Sequence, residues 1–303
     1  MKIVVAISSF RSDSEAIRLV SELYSGDYEF SNVVVVCSAG GHDLAKIVNS
    51  KGYRNCQVSP FDNNLGSAGN LYERFKLANE LGGDFMLALN HDAQISPQMF
   101  RTMVDTAENC DSQIGALYPL RYKSGKQQYD LTGTRMFPFR FLGAAEVPSG
   151  ALIDVSWSSS NGALYALAPF RAGVSPDISL WMGWEDYLYG LQLRDAGYRQ
   201  CIVTSAHAVD GYEYKVVKKI GMKVTISDKP LWYTYYGPRN MVLICAHRYR
   251  TPEMLFFLML WIISFPAHIF FAKAGMDRWH GLRYFVLGLA HGLLNSSGKW
   301  RLP

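Results

Sequence analysis

Five short stretches of this chain carry side chains able to do chemistry. In Leu89-Asn90-His91-Asp92 an apolar run ends on an Asp. A carboxylate just past a sheet edge suits a divalent cation that bridges a diphosphate, because hard cations take oxygen ligands and Mg²⁺ commonly combines one or two carboxylates with phosphates. The plainer use of such an Asp is a turn or a helix cap, and Ser96-Pro97 shortly after has the look of a helix start. The stretch Asp62-Asn63-Asn64-Leu65-Gly66-Ser67-Ala68-Gly69-Asn70 opens a helix with small residues and side-chain amides. Such a start lets backbone approach a nucleotide and offers the helix N-terminus to phosphate. It matches neither G-x-G-x-x-G nor a P-loop, and an ordinary capped loop stays open. Trp181-Met182-Gly183-Trp184-Glu185-Asp186-Tyr187 sets two carboxylates at a helix start beside two Trp. That suits a general base under an aromatic platform, its ionised form favoured by the helix dipole. It also suits acidic residues that merely stabilise a first turn. His207 ends an apolar run and is either a ligand or a structural hydrogen-bonder. In Tyr235-Tyr236-Gly237-Pro238-Arg239-Asn240, Arg239 either pairs with phosphate or is a solvated or helix-capping residue.

These stretches need a frame. Residues 2–7 and 32–37 are short apolar runs, the second β-branched, and 54–59 and 84–90 continue the series as strands. Helical segments are expected at 13–23, 42–50 and 67–81, the last ended by Gly82-Gly83. Strand and helix in alternation imply βαβ units in a doubly wound α/β sheet, mostly parallel and flanked by helices. Ligands bind such sheets beyond the carboxyl ends of the strands. Those ends fall at 8–11, 37–41, 60–69 and 90–94, all polar or glycine-rich. The middle of the chain is less regular, with a strand expected at 152–157 and a helix at 185–196 stopped by Gly197, and from Met241 onward it reads as helix.

Composition sharpens this division. Of 303 residues, 49% are hydrophobic and 18% charged, below the ~25% usual for soluble domains. Disordered chains, disulfide miniproteins and coiled coils are excluded. Residues 1–214 carry 17 Lys/Arg against 23 Asp/Glu, a net of −6, whereas residues 215–303 carry 13 against 3, a net of +10. Five scattered Cys without a C-x-x-C read as free thiols in a reducing compartment. Met1-Lys2 leads at once into a strand rather than a signal segment, so the expected location is the cytoplasmic side. Residues 254–272 form an apolar run that spans ~28 Å as a helix, close to the hydrocarbon thickness of a bilayer. Pro266 is expected to break or kink it, basic residues flank both ends (Arg248 and Arg250; Lys273 and Arg278), and the second apolar run at 284–294 is too short to span. The expectation is interfacial or re-entrant helices on anionic lipid, with a spanning helix and a buried or oligomer-forming hairpin as the other readings. The interleaving of Lys/Arg with aliphatic runs speaks against a nucleic-acid partner.

The ordered set resembles the family-2 inverting glycosyltransferases of GT-A fold, in particular bacterial polysaccharide enzymes that include rhamnosyl- and galactofuranosyltransferases. The carriers are the N-x-G-x-x-G-N-like Asn64 to Asn70, Asn90-His91-Asp92 in the place of the family's DxD, Ser160-Asn161-Gly162-Ala163, Glu185-Asp186 with Leu193-Arg194-Asp195-Ala196-Gly197-Tyr198 downstream, His207, and Tyr235-Tyr236-x-x-Arg239-Asn240. The resemblance implies that Asp92, assisted by Asn90, binds the Mg²⁺ or Mn²⁺ that holds the diphosphate, with His207 as a second metal- or diphosphate-binding group. Asp186 is then the base for the acceptor hydroxyl and Glu185 orients the acceptor. Trp184, Asn161 and Gly162 belong to the acceptor side, and Asn64, Gly66, Asn70 and Arg239 to the donor side. Two departures matter: Asn90 stands where the DxD usually begins, and Cys37-Ser38-Ala39-Gly40 stands where relatives end the second strand in a base-reading Asp. Base recognition then falls to Ser8, Arg11 or Asp62.

The reading is a membrane-associated, metal-assisted enzyme on the cytoplasmic face of the plasma membrane. It moves a sugar from a nucleotide-diphosphate donor to a lipid-linked or growing envelope polysaccharide such as O-antigen, and possible homo-oligomers are compatible with it. The expected division is a donor half at 1–115, an acceptor and catalytic half at 116–240, and membrane helices at 241–303. A sugar-nucleotide nucleotidyltransferase, or a non-catalytic glycan-binding or membrane scaffold of the same fold, are the alternatives.

Overall fold

A computed structural model describes residues 1–123, 128–130, 141–143, 147–148, 150–209, 214–219, 222–227 and 229–300. They divide into two compact units. One takes the described residues among 1–123, 127–177 and 186–211, the other those among 178–185 and 212–303.

The first unit opens with the expected alternation: β1 (Ile3–Phe10), α1 (Asp13–Ser25), β2 (Asn32–Ser38), α2 (His42–Lys51), β3 (Cys56–Phe61), α3 (Gly66–Glu80), β4 (Phe85–Asn90) and α4 (Pro97–Asn109). Then follow β5 (Ile114–Lys123), β6 (Gln128–Asp130), β7 (Phe141–Gly143), β8 (Leu152–Asp154), β9 (Ala163–Ala166), α5 (Ala168–Arg171), α6 (Glu185–Asp195) and β10 (Arg199–Val209). The sheet runs β3-β2-β1-β4-β9-β5-β10-β8, with β6 and β7 paired off β5. β3, β2, β1 and β4 are mutually parallel, and β10 is parallel to β5. β9 enters antiparallel between β4 and β5, and β8 is antiparallel to β10.

The unbroken apolar runs of β1 and β2 follow from burial on both faces. Ile3, Val5, Ile7, Val33 and Val35 pack with Leu19, Leu44 and Phe100 from α1, α2 and α4. Val4, Ala6 and Val34 point the other way, onto Leu71, Phe75 and Ala78 of α3 and onto Tyr189 and Leu193 of α6. α4 begins where the sequence indicated: Ser96 Oγ accepts the Met99 N–H at 3.1 Å, with Pro97 in the first turn. Ser96 therefore does the capping, and Asp92 is not spent on it.

The second unit comprises the hairpin β11 (Tyr214–Lys219) and β12 (Met222–Ser227), then α7 (Tyr233–Val242), a π-helical turn at Leu243–Arg248, α8 (Pro252–Ala272) and α9 (Gly275–Leu293). α9 lies against α7 through glycines. A Cβ at Gly288 would sit 2.3 Å from the Tyr235 carbonyl oxygen, and one at Gly292 2.8 Å from that of Arg239. α8 runs through Pro266 without the break that was one of the two expected outcomes. The ring removes one N–H from the ladder, while the turn around it is held by packing: Phe265 stacks on Trp261 at 4.3 Å and on Phe285 at 5.6 Å. The outward side of α8 is apolar as well, with Phe256, Met259 and Ile263 exposed, the last at 69%.

Candidate active site

In the first unit the parallel strands deliver their polar ends together. Register sets Ser8 of β1 opposite Asn90 of β4. Ser8 Oγ donates to Asn90 Oδ1 at 3.0 Å, and the His91 N–H donates to the Ser8 carbonyl at 2.9 Å. From the other side Asn161 Oδ1 accepts the Asn90 N–H at 3.0 Å, and the Gly162 N–H donates to the Ala88 carbonyl at 2.7 Å. Gly162 has φ +85°, and a Cβ there would lie 3.0 Å from Pro119 Cγ, so the turn that carries Asn161 across the end of β4 requires glycine. Three segments far apart in sequence thus lock one strand end. The Ala93 N–H closes on the Asn90 carbonyl at 2.9 Å, and Asp92 is left exposed on the resulting turn.

The fit for a cation is that of a shared one. Among the described residues no three His, Cys, Asp or Glu side chains converge. Asp92 brings a single carboxylate, which suits Mg²⁺ or Mn²⁺ arriving with a diphosphate that supplies the remaining oxygens. Asn90 contributes an amide whose oxygen also accepts from Ser8. His207 follows an irregularity in the β10–β5 register, with its Nε2 3.0 Å from the Thr204 carbonyl. A carbonyl only accepts, so Nε2 is the donor in this contact. The ring lies 5.9 Å from that of Tyr129.

The segment opening α3 is placed as scaffold. Asn64 Oδ1 accepts the Gly66 N–H at 2.9 Å and fixes the helix start. Gly66 is buried, with φ +71°. Asn70, 5% exposed, donates from Nδ2 to the Val36 carbonyl at 3.0 Å and so braces the end of β2. Asn70 Oδ1 is buried without a hydrogen-bond partner. Arg74, one turn further along the same face, is a residue that motif reading missed. It is buried, with Nη1 within 3.4 Å of the carbonyls of Ala6 and Leu89. Its signal was the i, i+4 series Gly66, Asn70, Arg74, Ala78. At the rim, Asp62 pairs with His42 at 2.9 Å, both well exposed. Arg11, exposed at φ +53°, lies 5.3 Å from the ring of Phe10.

α6 is held by a buried polar chain whose members come from separate segments. Tyr118 Oη donates to Gln200 Oε1 at 2.8 Å, and Gln200 Nε2 donates to the carbonyls of Gly190 at 2.8 Å and Ser156 at 3.0 Å. Gly190 admits this approach, since a Cβ there would meet Trp157 Cβ at 2.4 Å. At the head of the helix Asp186 Oδ1 accepts the Tyr187 N–H at 2.9 Å. Burial raises the hydroxyl pKa of Tyr118 and of Tyr165 well above the usual phenol range, and the charge of Asp186 adds to both shifts. Both phenols therefore stay protonated at neutral pH.

In the second unit Trp184 is 8% exposed and set edge-on to Trp261, with ring centres 6.4 Å apart. It is packed rather than displayed as an open platform. Arg239 is likewise placed differently from the sequence reading. It is 1% exposed, and its guanidinium donates to the carbonyls of Leu180, at 2.7 Å, and Gly298. Desolvation by burial lowers its pKa.

No family model and no curated protein matches this chain. Solved structures do. Residues 1–349 of S. aureus TarS are 15% identical, with 98% of this chain and 88% of that chain aligned and a TM-score of 0.57. That protein has also been solved with UDP-GlcNAc, at a TM-score of 0.57 and 14% identity. The mannosyltransferase PcManGT of Pyrobaculum calidifontis, in complex with GDP-Man and Mn²⁺, is 12% identical over 97% of this chain and 86% of that one, with a TM-score of 0.56. GalNAc-T7 with UDP, GalNAc and Mn²⁺ gives a TM-score of 0.59 at 9% identity, over 97% of this chain and 56% of that chain. The fold of the chain is the GT-A fold that the motif order implied.

Proposed function

We propose that this chain is a glycosyltransferase that moves a sugar from a nucleotide-diphosphate donor to a hydroxyl of a lipid-linked or growing envelope glycan, with inversion at the anomeric carbon. The observation that carries the reading is the interlocked end of β4, where Ser8 and Asn161 fix Asn90 and leave Asp92 exposed, in a fold shared with structures solved with UDP-GlcNAc or GDP-Man. A bound Mg²⁺ or Mn²⁺ supplies positive charge to the diphosphate as negative charge grows there, and Asp92 is the residue that would hold it. Asp186 takes the proton from the acceptor hydroxyl. The freed oxygen pair forms the new bond to the anomeric carbon as the bond to the diphosphate oxygen breaks, and the nucleoside diphosphate leaves. Tyr118 and Tyr165, kept protonated, compete for no proton near that base.

Thermal-shift titration tests the donor side. UDP-, dTDP- or GDP-sugars should raise the melting temperature, and Mn²⁺ or Mg²⁺ should enlarge the shift. Ligand at about 100 times its Kd stabilises by roughly 2.7 kcal/mol. A flat response to every donor, with and without metal, contradicts the reading.

The same reading takes the second unit to the cytoplasmic face of an anionic membrane. α8 is long and apolar enough to cross a bilayer, and 22% of its most apolar window is buried. Support for an interfacial position comes from the exposed Phe256, Met259, Ile263 and Trp279 together with the exposed cations Arg250, Arg283 and Lys299. Each Lys or Arg near an anionic surface adds ~1 kcal/mol of attraction. The protein should sediment with phosphatidylglycerol vesicles, much less with phosphatidylcholine, and should come off in part at high salt. Equal binding to both lipids regardless of salt removes the electrostatic part of this account.

A further inference from the structure

Asn240 and Arg239, adjacent on α7, hold one turn of backbone within the second unit. Asn240 Nδ2 lies 3.0 Å from the Leu180 carbonyl oxygen, 2.9 Å from that of Met182 and 2.8 Å from that of Gly183. Arg239 Nη2 donates to the same Leu180 carbonyl, and its Nε donates to Asn240 Oδ1 at 2.9 Å. The amide orientation is thereby fixed, because only nitrogen can face three carbonyls and only oxygen can accept from the guanidinium. Asn240 is fully buried and Arg239 nearly so.

The backbone they grip is not one that would form unaided. Trp181, Gly183 and Trp184 all lie in the left-handed region, at φ +56°, +82° and +68°. Glycine adopts such angles freely, but bulky residues do so only where surrounding structure holds them. Trp181 is held further by Tyr236, with ring centres 4.7 Å apart. One residue beyond the turn the chain reaches Glu185 and Asp186, the first two residues of α6. The direction of each gripped carbonyl sets the torsions on either side of it, so the clamp sets the backbone that leads into the carboxylates.

We infer that Asn240 and Arg239 are positioning residues for the transfer step: their side chains hold the strained 180–184 turn in the one conformation from which Glu185 and Asp186 enter α6 correctly. This rests on the proposed function and replaces phosphate pairing as the role of Arg239. Misplacing a reacting group by about 1 Å can cost on the order of 100-fold in rate, so the effect belongs in kcat rather than in donor affinity.

The test uses Asn240→Asp, which keeps the shape and whose charge is compensated by Arg239, but which opposes oxygen to three carbonyls. Asn240→Ala serves as the neutral second variant should the first fold poorly. Three quantities are measured on the full chain: kcat, donor-nucleotide Kd, and hydrogen exchange at residues 181–187 against that at β1 and β2. The expected result is a kcat about 100-fold lower, a Kd within about twofold of wild type, and faster exchange confined to 181–187. Unchanged kcat in a folded variant overturns the inference, as does a kcat loss with wild-type protection of that turn. A wild-type chain that turns over no nucleotide sugar overturns the proposed function and this inference with it, whereas an active wild type with an equally active Asn240→Asp overturns this inference alone.

Discussion

Asp186→Asn should lower sugar transfer by about 10²- to 10⁴-fold, the range that a positioned general base contributes, and should leave donor affinity within about twofold, if Asp186 is the base proposed above. The size of the effect follows from what the substitution spares. The amide oxygen of Asn can accept the Tyr187 N–H as Asp186 Oδ1 does, so the first turn of α6 keeps its side-chain cap. The hydrogen bonds from Tyr118 through Gln200 to the Gly190 carbonyl are made by other side chains. What disappears is the group that can take a proton at neutral pH. Steady-state turnover and donor titration on the same preparation separate the two: a loss confined to kcat is the expected pattern. Turnover near the wild-type rate would move the base elsewhere, and Glu185 is the neighbour to examine next.

Asp92→Asn should have the second large effect, of a different kind. The residue is exposed on a turn closed by the Ala93 N–H, and its side chain does not cap α4, which Ser96 does. The substitution should therefore leave the apo melting temperature close to wild type. Charge stabilisation by a metal is worth several kcal/mol, so under the proposed role of Asp92 its loss should lower kcat/KM by roughly 100-fold or more. The metal-dependent part of the thermal shift with nucleotide sugar should vanish with it. Retention of a full Mn²⁺-dependent shift would show that Asp92 is not the residue holding the cation.

The α/β half of the fold was legible because its signals are local. Strands buried on both faces must be continuous apolar runs, and β1, β2 and β4 are just that. The errors at element ends have physical causes. β1 extends to Phe10 rather than residue 7 because Ser8 and Ser9 stay in register with Val36 and Cys37 of β2. The strand expected at 152–157 stops at Asp154 because Trp157 turns in to pack on Gly190 and on Tyr187, 5.1 Å between ring centres. At the candidate site, the motifs lie at the end of β4 and at the start of α6. Partners could not be read there, since they come from far along the chain: Ser8 and Asn161 for Asn90, Gln200 for Tyr118, Leu180 for Arg239. The guanidinium of Arg239 illustrates the limit. Its planar fork matches phosphate and it also matches backbone carbonyls; only the fold decides which it meets.

The most direct test of the central claim is the identity of the product released when the purified chain meets a panel of UDP-, dTDP- and GDP-sugars with Mn²⁺ or Mg²⁺ and a polysaccharide-precursor acceptor. Glycosyl transfer predicts release of a nucleoside diphosphate from one donor, dependent on the metal and abolished in Asp186→Asn. Pyrophosphate released from a nucleoside triphosphate, or no nucleotide product from any donor, would contradict it.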